Sequence, residues 1–326
     1  MAGRHLKELF RAFRSRDELA FRRAALEIIE EEQGKHHFAL ARDLQRLLVA
    51  GSATSHLDTG SFAVLPEPPK DREGDWPLAE VRQPDRALED LVMHPRTSGL
   101  LSDVAAEVAR WTELDRNGLP RRQRFLFQGP PGCGKTSAAE ALAAELGRPF
   151  VLVRLDAVVS SYLGETASNL RRVLDYADQG PFVVLFDEFD ALGRTRDDAA
   201  EHGEMKRVVT AFLQMIDKYR GPSLLIAATN HPGLLDSALW RRFDEVVTFD
   251  KPTVHELRRL LRLRLRPVPH TGVDVERYAS AIKGLPHAAA EKLVWDARRA
   301  AVLAGRREVT KVDMDQALIR VASRPW

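Results

Sequence analysis

Apolar residues recur along this chain with two different periods, and the changes between them divide it. Near the N-terminus Leu6, Leu9, Phe10 and Phe13 fall at i, i+3, i+4 and i+7, one stripe of a helix. Ser15 and Glu18 have capping-box spacing, so a second helix is expected to start there and to end at Gly34. Leu40, Leu44, Leu47 and Leu48 share one face of a third, closed by Gly51. Residues 1–51 hold too few apolar side chains for much independent stability. They read as a short helical module for docking or for oligomerisation. From 52 to 77 the period is lost, and Ser, Thr, Gly and Pro66, Pro68, Pro69 and Pro77 predict a linker.

Between 78 and 251 short apolar runs alternate with helical periods. Strands are expected over 78–81, 125–128, 150–156, 182–187, 223–229 and 246–249. Helices are expected over 102–114, 136–146, 166–177 and 204–218, with a turn near 237–241. Such alternation is the signature of a parallel sheet sandwiched by helices. After Pro252 no strand signal remains, and periods over 254–266, 274–283, 287–304 and 311–323 predict a small helical lid domain, 252–326. The fold class is α/β, with a helical module before the sheet domain and a helical lid after it.

Composition changes this little. Hydrophobic residues make up 44% and charged residues 29%, and the formal net charge is +2, which gives no broad electrostatic case for nucleic acid or a membrane surface. A single cysteine excludes an internal disulfide. The N-terminus is charged and lacks the apolar core of a signal peptide, and apolar runs such as 182–186 are strand-sized. A cytoplasmic location is expected by elimination. The ten histidines form no metal pattern; His202-Gly203-Glu204 is not H-E-x-x-H, and no G-x-S-x-G occurs.

The chemistry starts at Gly129-Pro130-Pro131-Gly132-Cys133-Gly134-Lys135-Thr136, which meets G-x-x-x-x-G-K-[ST] at every fixed position. It lies between an expected strand and an expected helix opening with Ser137. Backbone N–H groups of such a loop cradle a polyphosphate, aided by the positive end of the helix. Lys135 would reach the β- and γ-phosphates, and the Thr136 hydroxyl would ligate Mg²⁺. A nucleoside triphosphate site is therefore expected. The run 183–188 is a buried strand ending in two acids, at the carboxyl edge where ligands sit in such sheets. Asp187 can hold Mg²⁺ beside Thr136, and Glu188 can polarise a water for in-line attack on the γ-phosphate. The strand over 224–229 ends in Asn230, whose amide could bond the γ-phosphate or orient the water. Cys133 is either a thiol activated at a helix N-terminus or a small side chain that fits.

These residues resemble a AAA+ ATPase, of the AAA group that includes katanin, spastin and the endosomal-sorting disassembly ATPases. The resemblance rests on GPPGCGKT (129–136), VVLFDEFDALG (183–193), LLIAATN (224–230) and ALWRRFDEVVTF (238–249), and covers about residues 85 to 326. It implies that Asp187 and Glu188 are the Walker B acids, Asn230 sensor 1, and Arg241 and Arg242 arginine fingers acting on a neighbouring subunit. It implies a homo-oligomeric ring, usually a hexamer, using ATP and Mg²⁺. Tyr162, Leu163 and Gly164 are similar to the first pore loop, which grips a polypeptide substrate; the stretch 193–203 stands where a second would be. Arg171 and Arg172 would be either pore-facing or solvated. The function implied is a protein remodeller that threads its substrate. The alternative is a nucleotide-switched ATPase that regulates a partner, with residues 1–51 docking a separate protease or effector. Departures are Glu245 in place of a second finger arginine, no evident sensor-2 arginine, and His287 within a normally small-residue motif.

Overall fold

A computed structural model describes residues 18–34, 66–71, 75–84, 86–159, 163–192, 199–231, 233 and 240–326. The chain divides into two compact units, residues 1–65 and 66–326. Of the first, α1 (Glu18–Gly34) is described, with Ala24 and Ile29 buried. The helices expected on either side of it lie outside the described residues.

The second unit is built on a six-stranded sheet: β1 (Ala79–Arg82), β2 (Arg124–Gln128), β3 (Phe150–Val153), β4 (Val183–Phe186), β5 (Leu224–Thr229) and β6 (Glu245–Thr248). Its spatial order is β1-β3-β4-β5-β2-β6. β1 is an antiparallel edge and every other pairing is parallel. All residues of β4 and β5 are buried, as strands covered on both faces must be. The covering helices include α2 (Pro95–Val108), α3 (Trp111–Arg116), α4 (Lys135–Glu145), α5 (Leu155–Val158), α6 (Leu163–Ala177) and α7 (Ala199–Lys218). α4 turns Ala138, Ala139, Leu142 and Ala143 into the core, where small side chains let the helix lie close to the sheet. Phe125, Phe127, Val183, Leu185 and Ile226 meet it from the strands.

The lid comprises α8 (Val254–Leu265), α9 (Val275–Ala281), α10 (His287–Leu303) and α11 (Lys311–Ala322) around its own core of Leu257, Leu261, Tyr278, Leu293 and Met314. Capping boxes start two of these helices: Thr253 with Glu256, and Thr310 with Asp313. Residues 91–93 thread between the cores, Val92 in the lid cluster and Met93 in the sheet cluster. The Ala288 N–H donates to the Gly132 carbonyl at 3.0 Å, fastening α10 to the loop after β2.

Several expectations shift. The helix expected over 102–114 is two, α2 and α3, and α2 starts earlier, at a His94 cap followed by Pro95. β3 stops at Val153, since Arg154 turns the chain into α5 and its N–H bonds Leu78. Two-residue strands β7 (His270–Thr271) and β8 (Val309–Thr310) pair in the lid, too short to leave a period. Residues 66–71 and 75–77, expected to close a linker, belong to the second unit. Their carbonyls accept hydrogen bonds from α6: Arg172 Nη1 reaches Lys70 at 2.7 Å and Tyr176 Oη reaches Pro66 at 2.9 Å. Proline cannot donate, but its carbonyl still accepts. Arg172 is thereby a strap, while Arg171 is exposed.

Gly129 cannot be enlarged. Its φ of 143° is outside the range of other residues. A Cβ there would stand 2.1 Å from the Phe249 carbonyl oxygen, at the end of β6. Gly129→Ala is expected to destabilise the fold by about 2–4 kcal/mol. Thermal unfolding measures this, and an unchanged midpoint would contradict the packing described.

Candidate nucleotide site

Register brings the site together. Gln128 pairs with Thr229, and Phe186 with Ala227, so Gly129, Asp187 and Asn230 leave the sheet at one edge. β5 lies between the acidic strand β4 and the loop strand β2. At that edge a cavity of about 320 Å³ is lined by the loop from Pro131 to Thr136, with Ser137, Asp187, Glu188 and Asn230. Leu91, Val92, Met93, Leu260, Arg264, His287, Ala288 and Glu291 line the rest.

The loop folds tightly because Gly134 takes the left-handed conformation, φ 95°, immediately before α4. Lys135, the first residue of α4, is buried, and its ammonium donates to Gly129 O at 2.7 Å, Pro130 O at 3.0 Å and Asn230 Oδ1 at 2.6 Å. Its three protons are thus all engaged, and a phosphate oxygen has to displace one acceptor. Burial lowers the Lys135 pKa, while Asp187 and Asp190 act in the opposite direction. Thr136 Oγ1 donates to Asp187 Oδ2 at 2.6 Å, so a hydroxyl and a carboxylate from elements two strands apart meet. Asp187 Oδ1 accepts the Glu188 N–H at 2.9 Å. Glu188 is exposed and holds φ 52°, an uncommon conformation for a side-chain-bearing residue.

Asp190 is the residue that sequence reasoning left without a role. It is 1% exposed, and its Oδ1 accepts the Thr229 hydroxyl and the Asn230 N–H, each at 3.2 Å. A carboxylate is costly to bury unpartnered; here its bonds fix the end of β5 and with it the Asn230 amide. A third acid following Asp187-Glu188 before an Ala-Leu pair was the available signal. Ser137 receives Arg86 Nη1 at 3.0 Å. Cys133 is buried, and desolvation pushes its thiol up despite nearby Lys135 and Lys251. It packs as a small side chain in the sheet core.

The two arginines stand apart from this cavity and from each other in role. Arg242 Nη1 pairs with Asp217 at the end of α7, whose other carboxylate oxygen lies 3.5 Å from Arg124. Arg241 is exposed. Glu245 accepts from Arg122 at 3.3 Å. Leu163 and Gly164, expected in a loop, open α6 because the helical period simply starts earlier. Tyr162 lies outside the described residues, as do 193–198. Among the described residues no group of three metal-ligating side chains occurs, and no helix is long and apolar enough to cross a membrane.

A parallel sheet whose edge presents a glycine loop, a buried lysine, a strand-end acid pair and an asparagine defines a phosphate-loop nucleotide hydrolase. Residues 125–251 match the model of the ATPase family associated with various cellular activities (AAA). The chain is 40% identical over 323 residues to the AAA family ATPase y4kL of Sinorhizobium fredii, covering 99% of this chain and 96% of that one. It is 34% identical over 208 residues to the ATP-dependent zinc metalloprotease FtsH 1 of Conexibacter woesei. That match takes in 61% of this chain and 32% of the longer protein. It is also 32% identical over 204 residues to a putative 26S proteasome regulatory subunit homolog of Methanocaldococcus jannaschii, 61% of this chain and 55% of that one. The chain belongs to the AAA family of ATPases and is an enzyme that hydrolyses ATP.

Proposed function

We propose that this ATPase works as a ring and remodels polypeptides by drawing them through a central pore. One observation carries the ring: the cavity holds Lys135, Asn230 and Glu188, but its one arginine lining, Arg264, is engaged with Glu291. Within the described residues, then, no unengaged guanidinium faces the γ-phosphate position. A second copy would supply it from the Arg241-Arg242 corner, and a finger offered in trans contributes about 10³–10⁵ in rate. Thr136 and Asp187 suit Mg²⁺, since two hard oxygens already stand 2.6 Å apart. When bound, that ion would neutralise charge building on the phosphates. Lys135 holds the phosphates, Glu188 takes the proton of the attacking water, and Asn230, oriented through Asp190, positions that water or the γ-phosphate.

Remodelling is supported by the Tyr162-Leu163-Gly164 triplet, similar to a first pore loop, and by relatives named for proteolysis and the proteasome. A tyrosine ring offers contact area without demanding a particular side chain. The N-terminal module, residues 1–51, is the segment we assign to docking a partner; 52–77, 78–251 and 252–326 remain the proposed linker, ATPase and lid boundaries, with the described residues of 66–77 belonging to the second unit. Tyr162→Ala is expected to keep ATP hydrolysis and lose substrate remodelling; unaffected remodelling would remove threading from the account. Arg242→Ala subunits mixed with Lys135→Ala subunits should regain activity that neither has alone. No recovery in well-mixed assemblies would count against a finger acting in trans, and the same pairing with Arg241→Ala tells which arginine acts.

A further inference from the structure

His287, the first residue of α10, has no part in the hydrolytic chemistry above. Both of its ring nitrogens, Nδ1 and Nε2, are buried without a hydrogen-bond partner among the described residues. A neutral imidazole carries one donor and one acceptor, and leaving such groups buried and unpaired costs free energy. Native structures seldom tolerate that without a reason, so a partner that arrives later is the natural explanation.

The surroundings say what kind of partner. His287 lines the nucleotide cavity together with Met93, Leu260, Arg264 and Glu291. The adjoining backbone is pinned to the loop: the next N–H, of Ala288, bonds Gly132 O at 3.0 Å. Arg264 and Glu291 are engaged with each other, Nε to Oε1 at 3.0 Å. Met93 and Leu260 give the flat apolar contact that a base needs, and His287 gives the directional one. The imidazole also borders a second cavity of about 190 Å³, where the acid Glu256 is committed to its cap on Thr253. Desolvation lowers the His287 pKa, which keeps the ring neutral and able both to donate and to accept.

We propose that His287 hydrogen-bonds the nucleoside end of ATP and so selects nucleotides over bare polyphosphate. The inference rests on the nucleotide occupying this cavity, and the test separates the two statements. Binding of ATP and of inorganic tripolyphosphate is measured by calorimetry on the full chain, for the wild type, His287→Ala and His287→Gln. His287→Ala should weaken ATP about ten-fold, the worth of one or two hydrogen bonds, and leave tripolyphosphate within about two-fold. His287→Gln, which keeps a donor and an acceptor, should recover most of the ATP affinity. Equal weakening of both ligands, or unchanged ATP binding, would overturn the role of His287. Failure of the wild type to bind tripolyphosphate at all would instead fault the placement of the phosphates.

Discussion

Glu188→Gln is expected to bind ATP with affinity close to wild type while its kcat falls about 10³-fold. The magnitude is that of losing a general base. The side chain keeps its size, and Asp187 and Thr136, 2.6 Å apart, keep their contact. What goes is the negative charge that takes the proton of the attacking water. The backbone argues for the same residue. Glu188 holds φ 52° with its N–H on Asp187 Oδ1, a conformation that costs about 1 kcal/mol or more in a non-glycine residue. That strain directs an exposed carboxylate to the mouth of the cavity. Measured kcat and KM, with direct ATP binding, check this; normal turnover would remove Glu188 from its role.

Lys135→Ala acts earlier. Its ammonium is buried, and the protein satisfies it with Gly129, Pro130 and Asn230 until phosphate arrives. A charge-assisted hydrogen bond in such a site is worth about 1.5–3 kcal/mol, and two phosphate contacts would go with it. ATP affinity should fall about 100-fold or more, and hydrolysis below detection. The variant also leaves Asn230 Oδ1 without its donor, so the asparagine loses its resting position. ATP binding within about three-fold of wild type would contradict the placement of Lys135.

Much of the site could be read from the sequence because its chemistry is local. The loop 129–136 announces itself by spacing, and Asp187-Glu188 and Asn230 by ending apolar runs that only a doubly covered sheet can hold. The strand order that unites them is not local, yet the parallel register of β4, β5 and β2 follows once helices separate the strands. What escaped were residues whose meaning is tertiary. Asp190 looks like a third surface acid until its carboxylate is found under Thr229 and Asn230. Arg242 looks like a finger, and only the fold shows it held by Asp217 of its own chain. The stretch 66–77 looks like linker since its prolines carry no period, but its carbonyls are anchored by Arg172 and Tyr176. The early start of α6 at Leu163 escaped because a glycine inside a helical period reads as a loop.

The proposed ring rests on the lack, among the described residues, of an unengaged arginine lining the cavity. Arg242 sits in an ion pair with Asp217, and since both are partly exposed the pair is worth little and can be exchanged for a phosphate on a neighbour. The direct test is the ATP hydrolysis rate per chain as a function of protein concentration. A site completed by a second copy predicts a rate that rises steeply as copies associate and then levels off, with the rise abolished in the finger variant. A rate per chain that stays constant from dilute monomer to assembled protein would contradict it.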